Sequence, residues 1–446
     1  MPKYKNVELT IEKMEFPNTG IAHYENTKIK IKNTLVNQKI EALVAKGKGR
    51  IVKVLEKSPD EIAPLCEDFS ICGGCSYQNI SYEYELKLKE DAVLQLFNFL
   101  DRYEYLGLEC ALSSGEYRNK MEYSFGDEEK GGNLALGMRK RGSSYEVVTS
   151  KHCNIVDGDY RTILDTVLDY FQNSGERFYH KKTHQGTLRH LVVRKGKFTG
   201  EILINLVTTS AYSADLDEFT KVLLPLNLDG NIVGILHTIN NSVADIVKPD
   251  KINILYGRDF YTDEILGLKF KISAFSFFQT NSCGAQRLYS TVRDFVLQCK
   301  EKDGIIFDLY CGTGTIGQIL SSVTKEVVGI EIVEEAVQAA TENAKQNNIT
   351  NCTFITGNVL DIVDTIEKKP NIIILDPPRD GIHKKAIKKI IDFDAPSIIY
   401  VSCKPTSLAR DLEIFIEHGY VVKKLKLHDL FPRTYHVESV ALLEKV

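Results

Sequence analysis

Polar and apolar residues alternate in short runs over the first 57 positions: VELTIEKM, KIKIKNT, QKIEALVAK and RIVKVLE, separated by Gly, Asn and Pro. A period of two bounded by turn residues predicts short strands with one face toward a core, the pattern of a small antiparallel β-barrel. SPDEIAPL, from residue 58, is a Pro-containing linker. Residues 81–103 carry helical periodicity. Between residues 117 and 260 strand patterns dominate (KMEYSF, LALGMRK, EVVTS, HLVVRKGKFTGEILINLVTT, NIVGILHTIN), with helical stretches at 159–174 and 213–224. From about residue 270 helices alternate with short, continuously apolar strands, which predicts a doubly wound α/β unit. The expected organisation is a barrel over 1–57, a central α+β domain over 58–262 onto whose C-terminal neighbour the helix at 81–103 can pack, and an α/β domain over 263–446.

Composition changes this picture little. Hydrophobic residues make up 43% of 446 and charged residues 26%, an ordinary globular balance with ample chain for a core. Net charge is −4, which excludes a uniformly basic nucleic-acid coat. Residues 1–57, however, hold 12 Lys/Arg against 6 Asp/Glu, so the barrel is basic and suited to phosphate contacts. No stretch approaches the ~20 apolar residues of a membrane span, and MPKYKNVELTIEK lacks the apolar core of a signal peptide. A cytoplasmic protein is expected. In a reducing compartment its ten cysteines read as free, ligating or catalytic thiols.

The chemistry concentrates in the α/β half. GIIFDLYCGTGTIG (304–317) reads as buried strand, Gly-rich turn and helix start; Gly312 and Gly314 permit a tight turn and close approach of a ligand. EVVGIE ends in Glu331, nineteen residues beyond Gly312, where a carboxylate can accept from both ribose hydroxyls of a nucleoside cofactor. GTGTIG also spells a dinucleotide-binding loop. Asp308, four residues before Gly312, would repel a pyrophosphate and suits a cofactor with a cationic amino-acid end, S-adenosylmethionine. NIIILDPPRDG (371–381) and SIIYVSCKP (397–405) place Asp376 and Cys403 at two more strand ends. Ligands in doubly wound sheets bind beyond the carboxyl ends of strands, so Tyr310, Glu331, Asp376 and Cys403 are expected at one site, with Cys403 as a candidate nucleophile. Cys66-x5-Cys72-x2-Cys75, with Gly73 and Gly74, supplies three thiols on one tight loop, and Cys153 is the best fourth donor. Four thiolates suit a [4Fe–4S] cluster or tetrahedral zinc, which spacing does not separate. The spacing is not the C-x3-C-x2-C loop of radical enzymes, so a structural or RNA-facing role is expected. Cys110, Cys283, Cys299, Cys311 and Cys352 read as ordinary buried thiols. YRNKMEYSF (117–125) and TLRHLVVRKGK (187–197, with Arg189, Arg194, Lys195 and Lys197) mix basic and aromatic residues as RNA surfaces do.

SFFQTN (276–281), DLYCGTG (308–314), DPPR (376–379), SCKP (402–405) and HVES (436–439), in this order, resemble the bacterial iron–sulfur-type uracil-C5 methyltransferases of 23S ribosomal RNA over nearly the whole chain. The resemblance implies a Rossmann-like class I methyltransferase domain, a central α+β domain with an iron–sulfur loop, and a TRAM-type N-terminal barrel. It implies S-adenosylmethionine as cofactor, a [4Fe–4S] cluster on Cys66, Cys72, Cys75 and Cys153, and ribosomal RNA as partner, with no membrane and no obligate protein partner. Cys403 matches the nucleophile and Glu438 the proposed base, with His436 the alternative base. Gln279, Tyr310, Glu331, Asn358 and Asp376 match cofactor-site positions, and Gln279 has the donor and acceptor to read a uracil edge as well. Thr315 departs from the Asn of some relatives, at a peripheral contact. Arg379 follows the two prolines where adenine-N6 enzymes carry an aromatic residue and RNA cytosine-C5 enzymes a second Cys, which disfavours both. Relatives acting on transfer RNA generally lack the cysteine loop and barrel. A transfer-RNA enzyme and a non-catalytic iron–sulfur RNA-binding protein remain the alternatives.

Overall fold

The computed structural model describes residues 4–243, 249–362, 366 and 368–446. Residues 1–3 of the expected barrel, 244–248 of the expected central domain, and 363–365 and 367 of the expected α/β domain lie outside the described residues. The chain forms two compact units, one of residues 1–65, 75–111 and 372–446, the other of residues 66–74 and 112–371.

The first unit opens with a six-stranded sheet in which Lys5–Thr10, Lys39–Ala45, Lys48–Glu56, Thr27–Lys32, Thr19–Tyr24 and Lys13–Glu15 are neighbours in that order. In TKIKIK, Ile29 and Ile31 are buried and the lysines between and beside them are exposed, as a period of two requires. The core of this barrel-like sheet also takes in Tyr77, Ile80 and Leu88. Leu88 lies on the helix Tyr82–Leu94, whose N-cap Ser81 accepts from the Tyr84 amide. The helical pattern expected to 103 ends near Phe97, and a strand, Glu104–Glu109, follows. That strand runs parallel to Tyr420–His428, which pairs antiparallel with Glu438–Lys445. The next strand, Ser397–Ser402, is antiparallel to Glu438–Lys445 and parallel to Ile372–Leu375. Ile372–Leu375 and Ser397–Ser402 are wholly buried, which is why they read as continuous apolar runs.

The second unit holds a seven-stranded sheet ordered Val147–Thr149, Leu134–Arg139, Lys120–Asp127, Leu188–Lys195, Glu201–Thr208, Asn231–Ile239, Lys251–Gly257. The helices Gly158–Gln172 and Asp217–Leu223 lie close to the expected positions. The hairpin Phe260–Ile265/Leu268–Ser273 leads to the helix Ser282–Gln298. Three parallel strands follow, with Glu326–Glu331 between Ile305–Leu309 and Cys352–Thr356. No helix among the described residues is long and apolar enough to cross a membrane.

Candidate functional site

In the second unit the Gly-rich turn carries three left-handed residues within five: Tyr310 (φ 65°), Gly312 (φ 53°) and Gly314 (φ 69°). They reverse the chain between the strand end at Leu309 and the helix Thr315–Leu320. A Cβ on Gly314 would lie 2.6 Å from the Phe354 ring, so only glycine fits there; a Cβ on Gly312 would meet nothing within 4 Å. Asp308 is fully buried and its Oδ2 accepts from the Gly317 amide (2.9 Å), tying the turn down from beneath. Glu331 sits at the neighbouring strand end. Its Oε2 accepts from the Gly312 amide (3.1 Å) and its Oε1 from the Val333 amide (3.0 Å), which aims the carboxylate along the turn while each oxygen keeps a second lone pair. Beside it Ile332 and Val333 are exposed, 64% and 47%. A half-exposed carboxylate next to apolar surface and an open glycine backbone suits a nucleoside: hydroxyls on the acid, a flat base on the aliphatic side chains.

Asn358 lies at the end of the third strand. Its Oδ1 accepts from the Leu360 amide (3.0 Å) and its side chain is exposed, so the amide NH2 is the group it offers. Gln279 lies on the loop 274–281. Arg194 holds that loop by donating to the carbonyls of Ala274 (3.1 Å) and Ser276 (2.7 Å), and Asn119 Nδ2 donates to the Gln279 carbonyl (3.1 Å). Asn281 caps the following helix through the Gly284 amide, and Phe277 is 70% exposed at the loop tip.

These contacts revise the expected RNA surfaces. Arg189, Arg194, Tyr123 and Phe125 are buried, and Lys195 is taken up by Asp157 (2.8 Å) and Asp159 (2.6 Å). The strand stretches read as basic faces are core and loop supports, because the seven-stranded sheet is covered where they lie. Of the expected cations Lys197 is exposed, and further exposed ones stand on the segment leading into Leu188–Lys195. Residues 177–190 hold four Lys/Arg and three His with no acid, and Arg177, Lys182 and His184 are exposed. That segment is pinned by Tyr179 N to Leu188 O (2.7 Å) and His180 N to Gln185 O (2.8 Å). Its basic–aromatic composition was the available signal.

The first unit carries the thiol. Ser402 with Ser439 is the last antiparallel pair of these strands, Cys403 and Glu438 are the next residues beside it, and the Glu438 charge raises the Cys403 thiol. The parallel pairing of Leu375 with Tyr400 brings Asp376 to the same end. Pro405 opens the helix Pro405–Glu417, so Cys403 lies in the short turn between the strand end at Ser402 and that helix. From that helix Ser407 Oγ donates to the Arg379 carbonyl (2.9 Å), and Asp411 Oδ2 accepts from the Ile382 amide (2.9 Å) and the Tyr400 hydroxyl (2.7 Å), pinning the DPPR turn. No motif pointed to Ser407 or Asp411.

The electrostatics are those of a crowded acidic pocket. Burial pushes the Cys403 thiol up to about 11; the Glu438 and Asp376 carboxylates add to this and Arg379 opposes it. Burial pushes Glu438 up to about 8, with Asp376 raising and Arg379 lowering it, and pushes Asp376 up to about 7. Arg379 is thus the cation that favours both the thiolate and the carboxylate. His436 stacks on Tyr435 (ring centroids 4.4 Å apart) and edges onto Phe431 (6.0 Å), whereas Glu438 is the carboxylate whose charge raises the thiol.

Of the four expected thiolate ligands, Cys66, Cys72 and Cys153 belong to the second unit, and Cys75, which accepts from Gln78 Nε2 at 3.6 Å, to the first. The segment bearing Cys66 and Cys72 is laid on a strand edge: Gly73 N donates to Arg139 O (2.9 Å), and a Cβ on Gly73 would lie 2.9 Å from that oxygen. Burial raises all three thiols, and Cys153, pushed to about 11, is raised further by the charges of Cys66 and Cys72. Three neighbouring thiols that resist ionisation are a donor set a cationic centre would relieve, so the chemistry fits a soft metal. Among the described residues no group of three or more Cys, His, Asp or Glu is already arranged to hold one. Of the cysteines expected to be inert and buried, Cys299 is buried and Cys110 is exposed.

Residues 236–446 match the family model described as tRNA (Uracil-5-)-methyltransferase. A relative from Clostridium tetani, described as an uncharacterised RNA methyltransferase, is 49% identical over 452 residues, covering 100% of this chain and 99% of its own. One from Caldanaerobacter subterraneus is 47% identical, covering 100% of both. The crystal structure of Pyrococcus abyssi tRNA (uracil-54, C5)-methyltransferase in complex with S-adenosyl-L-homocysteine is similar in fold, with a TM-score of 0.77, 23% identity, and coverage of 98% of this chain and 100% of that one. Near-half identity along its full length makes this chain a member of the same RNA methyltransferase family, and therefore an enzyme, with its C-terminal half matching the uracil-5 type.

Proposed function

We propose that the protein methylates C5 of uridine in RNA with S-adenosylmethionine, and that its target is 23S ribosomal RNA. The observation that carries this reading is the closeness of Glu438 to Cys403, next to the Ser402–Ser439 pair, where the Glu438 charge raises the thiol. When bound, the cofactor supplies an electrophilic methyl group on a sulfonium. Uracil C5 is too weak a nucleophile to take it unaided. The Cys403 thiolate adds to C6, and the electron pair of the C5–C6 double bond becomes enolate character at C5. C5 then forms its bond to the methyl carbon as the sulfonium C–S bond breaks. Glu438, ionised, removes the C5 proton; the electrons restore C5–C6 and the C6–S bond breaks, releasing the thiolate. A buried carboxylate pushed up to about 8 is a stronger base than an exposed one. Arg379 opposes the burial and the two acids that together raise the thiol.

Glu331 takes the ribose hydroxyls in this reading, Tyr310 and Asn358 flank the nucleoside, and Asp376 and Gln279 serve the cofactor's amino-acid end and the uracil edge. Residues 1–57 act as an RNA-binding barrel in a cytoplasmic enzyme, and the exposed cations of 177–184 add backbone contacts. Cys66, Cys72, Cys75 and Cys153 hold a [4Fe–4S] cluster as a structural group; bound iron and acid-labile sulfide, lost on Cys→Ser substitution, test it. Denaturing gels with 5-fluorouridine RNA test the chemistry. Fluorine cannot leave as a proton, so a covalent adduct accumulates, and Cys403→Ala abolishes both adduct and turnover; methylation by that variant overturns the mechanism. The transfer-RNA alternative draws on the description of the matching family. Mass spectrometry of both RNA classes from a deletion strain separates them: loss of 5-methyluridine from transfer RNA alone overturns the ribosomal assignment.

A further inference from the structure

A set of buried charges in the first unit has no part in the mechanism above. Lys89, on the helix Tyr82–Leu94, is buried, and its Nζ donates to Glu85 Oε1 (2.7 Å), Asp429 Oδ1 (2.8 Å) and the Phe431 carbonyl (3.3 Å). Tyr82 donates its hydroxyl to Asp429 Oδ2 (2.8 Å). Arg433 donates its amide to Glu85 Oε1 (2.7 Å) and its guanidinium to the Ile80 carbonyl (3.1 Å) and Glu85 Oε2 (3.4 Å). The Arg433 carbonyl in turn accepts from the amides of Ser76 (2.7 Å) and Tyr77 (3.1 Å). Two acids and two bases thus balance, some 340 residues apart in sequence.

All of these bonds except that of Lys89 with Glu85 end on residues 429–433, the first part of the loop joining the strand Tyr420–His428 to Glu438–Lys445. The pair that closes this loop is His428 with Glu438. Glu438 is therefore the first residue of its strand, at the end most prone to fray. Beyond the clamp the order continues. Thr434 N and Oγ1 both donate to the Phe431 carbonyl (3.2 and 2.7 Å), and Thr434 Oγ1 accepts from the His436 amide (3.2 Å). An unbroken run of hydrogen bonds leads from the helix to two residues before Glu438. A buried ion cluster is a poor source of stability compared with apolar packing, but it admits few geometries.

We propose that Glu85, Lys89, Asp429 and Arg433 form a positioning clamp that holds Glu438 in line with the C5 proton, so that they act on proton removal and hardly on thiol addition. This rests on the reading of Glu438 as the base and Cys403 as the nucleophile. If the base is displaced while the thiol is not, addition and methyl transfer proceed and elimination stalls, leaving C6 bonded to sulfur.

The test uses the full-length protein with Lys89→Met, in which an apolar chain of similar reach replaces the ammonium, and Tyr82→Phe, a milder change that keeps the helix and the charges. With S-adenosylmethionine and ordinary uridine RNA, Lys89→Met is expected to lose about 10- to 100-fold in turnover, the scale of a small misplacement of a reacting group. It should accumulate a denaturant-resistant, methylated protein–RNA adduct that the wild type does not show, while forming the 5-fluorouridine adduct at nearly the wild-type rate. Tyr82→Phe, which removes the bond to Asp429 and the one accepted from the Ala111 amide (2.9 Å), should show the same pattern at about 5-fold, the scale of a lost hydrogen bond. If Lys89→Met does not fold, Tyr82→Phe decides. Turnover and 5-fluorouridine adduct formation falling in the same proportion, with no adduct on ordinary uridine, overturns the clamp. Absence of a 5-fluorouridine adduct from the wild type overturns the mechanistic reading beneath it, and the two failures are thus distinguishable.

Discussion

Replacing Glu438 by Gln should make the Cys403 thiol more acidic, and the structure sets how much and over which pH range. Neighbouring antiparallel strands hold facing side chains about 5 Å apart at Cβ, the scale for two residues beside the Ser402–Ser439 pair. A unit charge at about 5 Å in an effective dielectric near 20 is worth about 3 kcal/mol, or roughly 2 pH units. Cys403 is only partly buried, so screening trims this toward roughly one unit. In the wild type the thiol is pushed up to about 11 and Glu438 to about 8. Below about pH 7 Glu438 is protonated, so the thiol sees a neutral neighbour in both proteins and their alkylation rates should agree. Above pH 8 the wild-type carboxylate is charged, and the variant should react about ten-fold faster with iodoacetamide at pH 9.5. Peptide mass spectrometry, following Cys403 separately from the other nine cysteines, gives the rate at each pH. A ratio that stays flat with pH, or a wild type that reacts faster at high pH, would refute the proximity of Glu438 to the thiol.

The same substitution bears on stability. Glu438 binds its proton more tightly folded than unfolded, so its contribution is full below about pH 4.5 and is lost as pH rises toward 8; Glu438→Gln should melt with the wild type at pH 4 and higher than it at pH 8.5, by up to a few kcal/mol, as calorimetry would show. Gly314→Ala should destabilise by about 2–5 kcal/mol in denaturant titration, combining left-handed strain with the clash against Phe354. Gly312→Ala should cost only about 1–2 kcal/mol of strain yet abolish S-adenosylhomocysteine binding by calorimetry, because its Cβ enters open space rather than protein; normal binding would move the nucleoside away from this turn. Arg177→Glu with Lys182→Glu should lower the slope of log affinity against log salt by about 1.5 for single-stranded RNA, and an unchanged slope removes the segment 177–184 from the RNA surface.

The barrel-like alternation, the doubly wound tail and the strand-end residues Glu331, Asp376 and Cys403 were legible because their signals are local. A period of two, a continuous apolar run and a Gly-rich turn each state their own burial. The basic strands misled for the same reason. Arg189 and Arg194 look like a surface until the sheet is covered, whereupon Arg194 becomes the brace of the Gln279 loop. The helix expected over 81–103 is a turn or two longer than the one that forms, and the strand Glu104–Glu109 that follows it is set by pairing with Tyr420–His428, more than 300 residues later.

By itself, then, the order of residues determined which elements form and which side chains stand at their ends, since backbone preference and hydrophobic period act within a few residues. Only the tertiary structure decided that the Glu438 charge comes close enough to raise the thiol, that Asp308 serves the turn from beneath, and that Lys89 reaches Asp429. Those outcomes depend on strand register and on buried pairs far apart in sequence, whose energies exist only once water has been excluded from both partners.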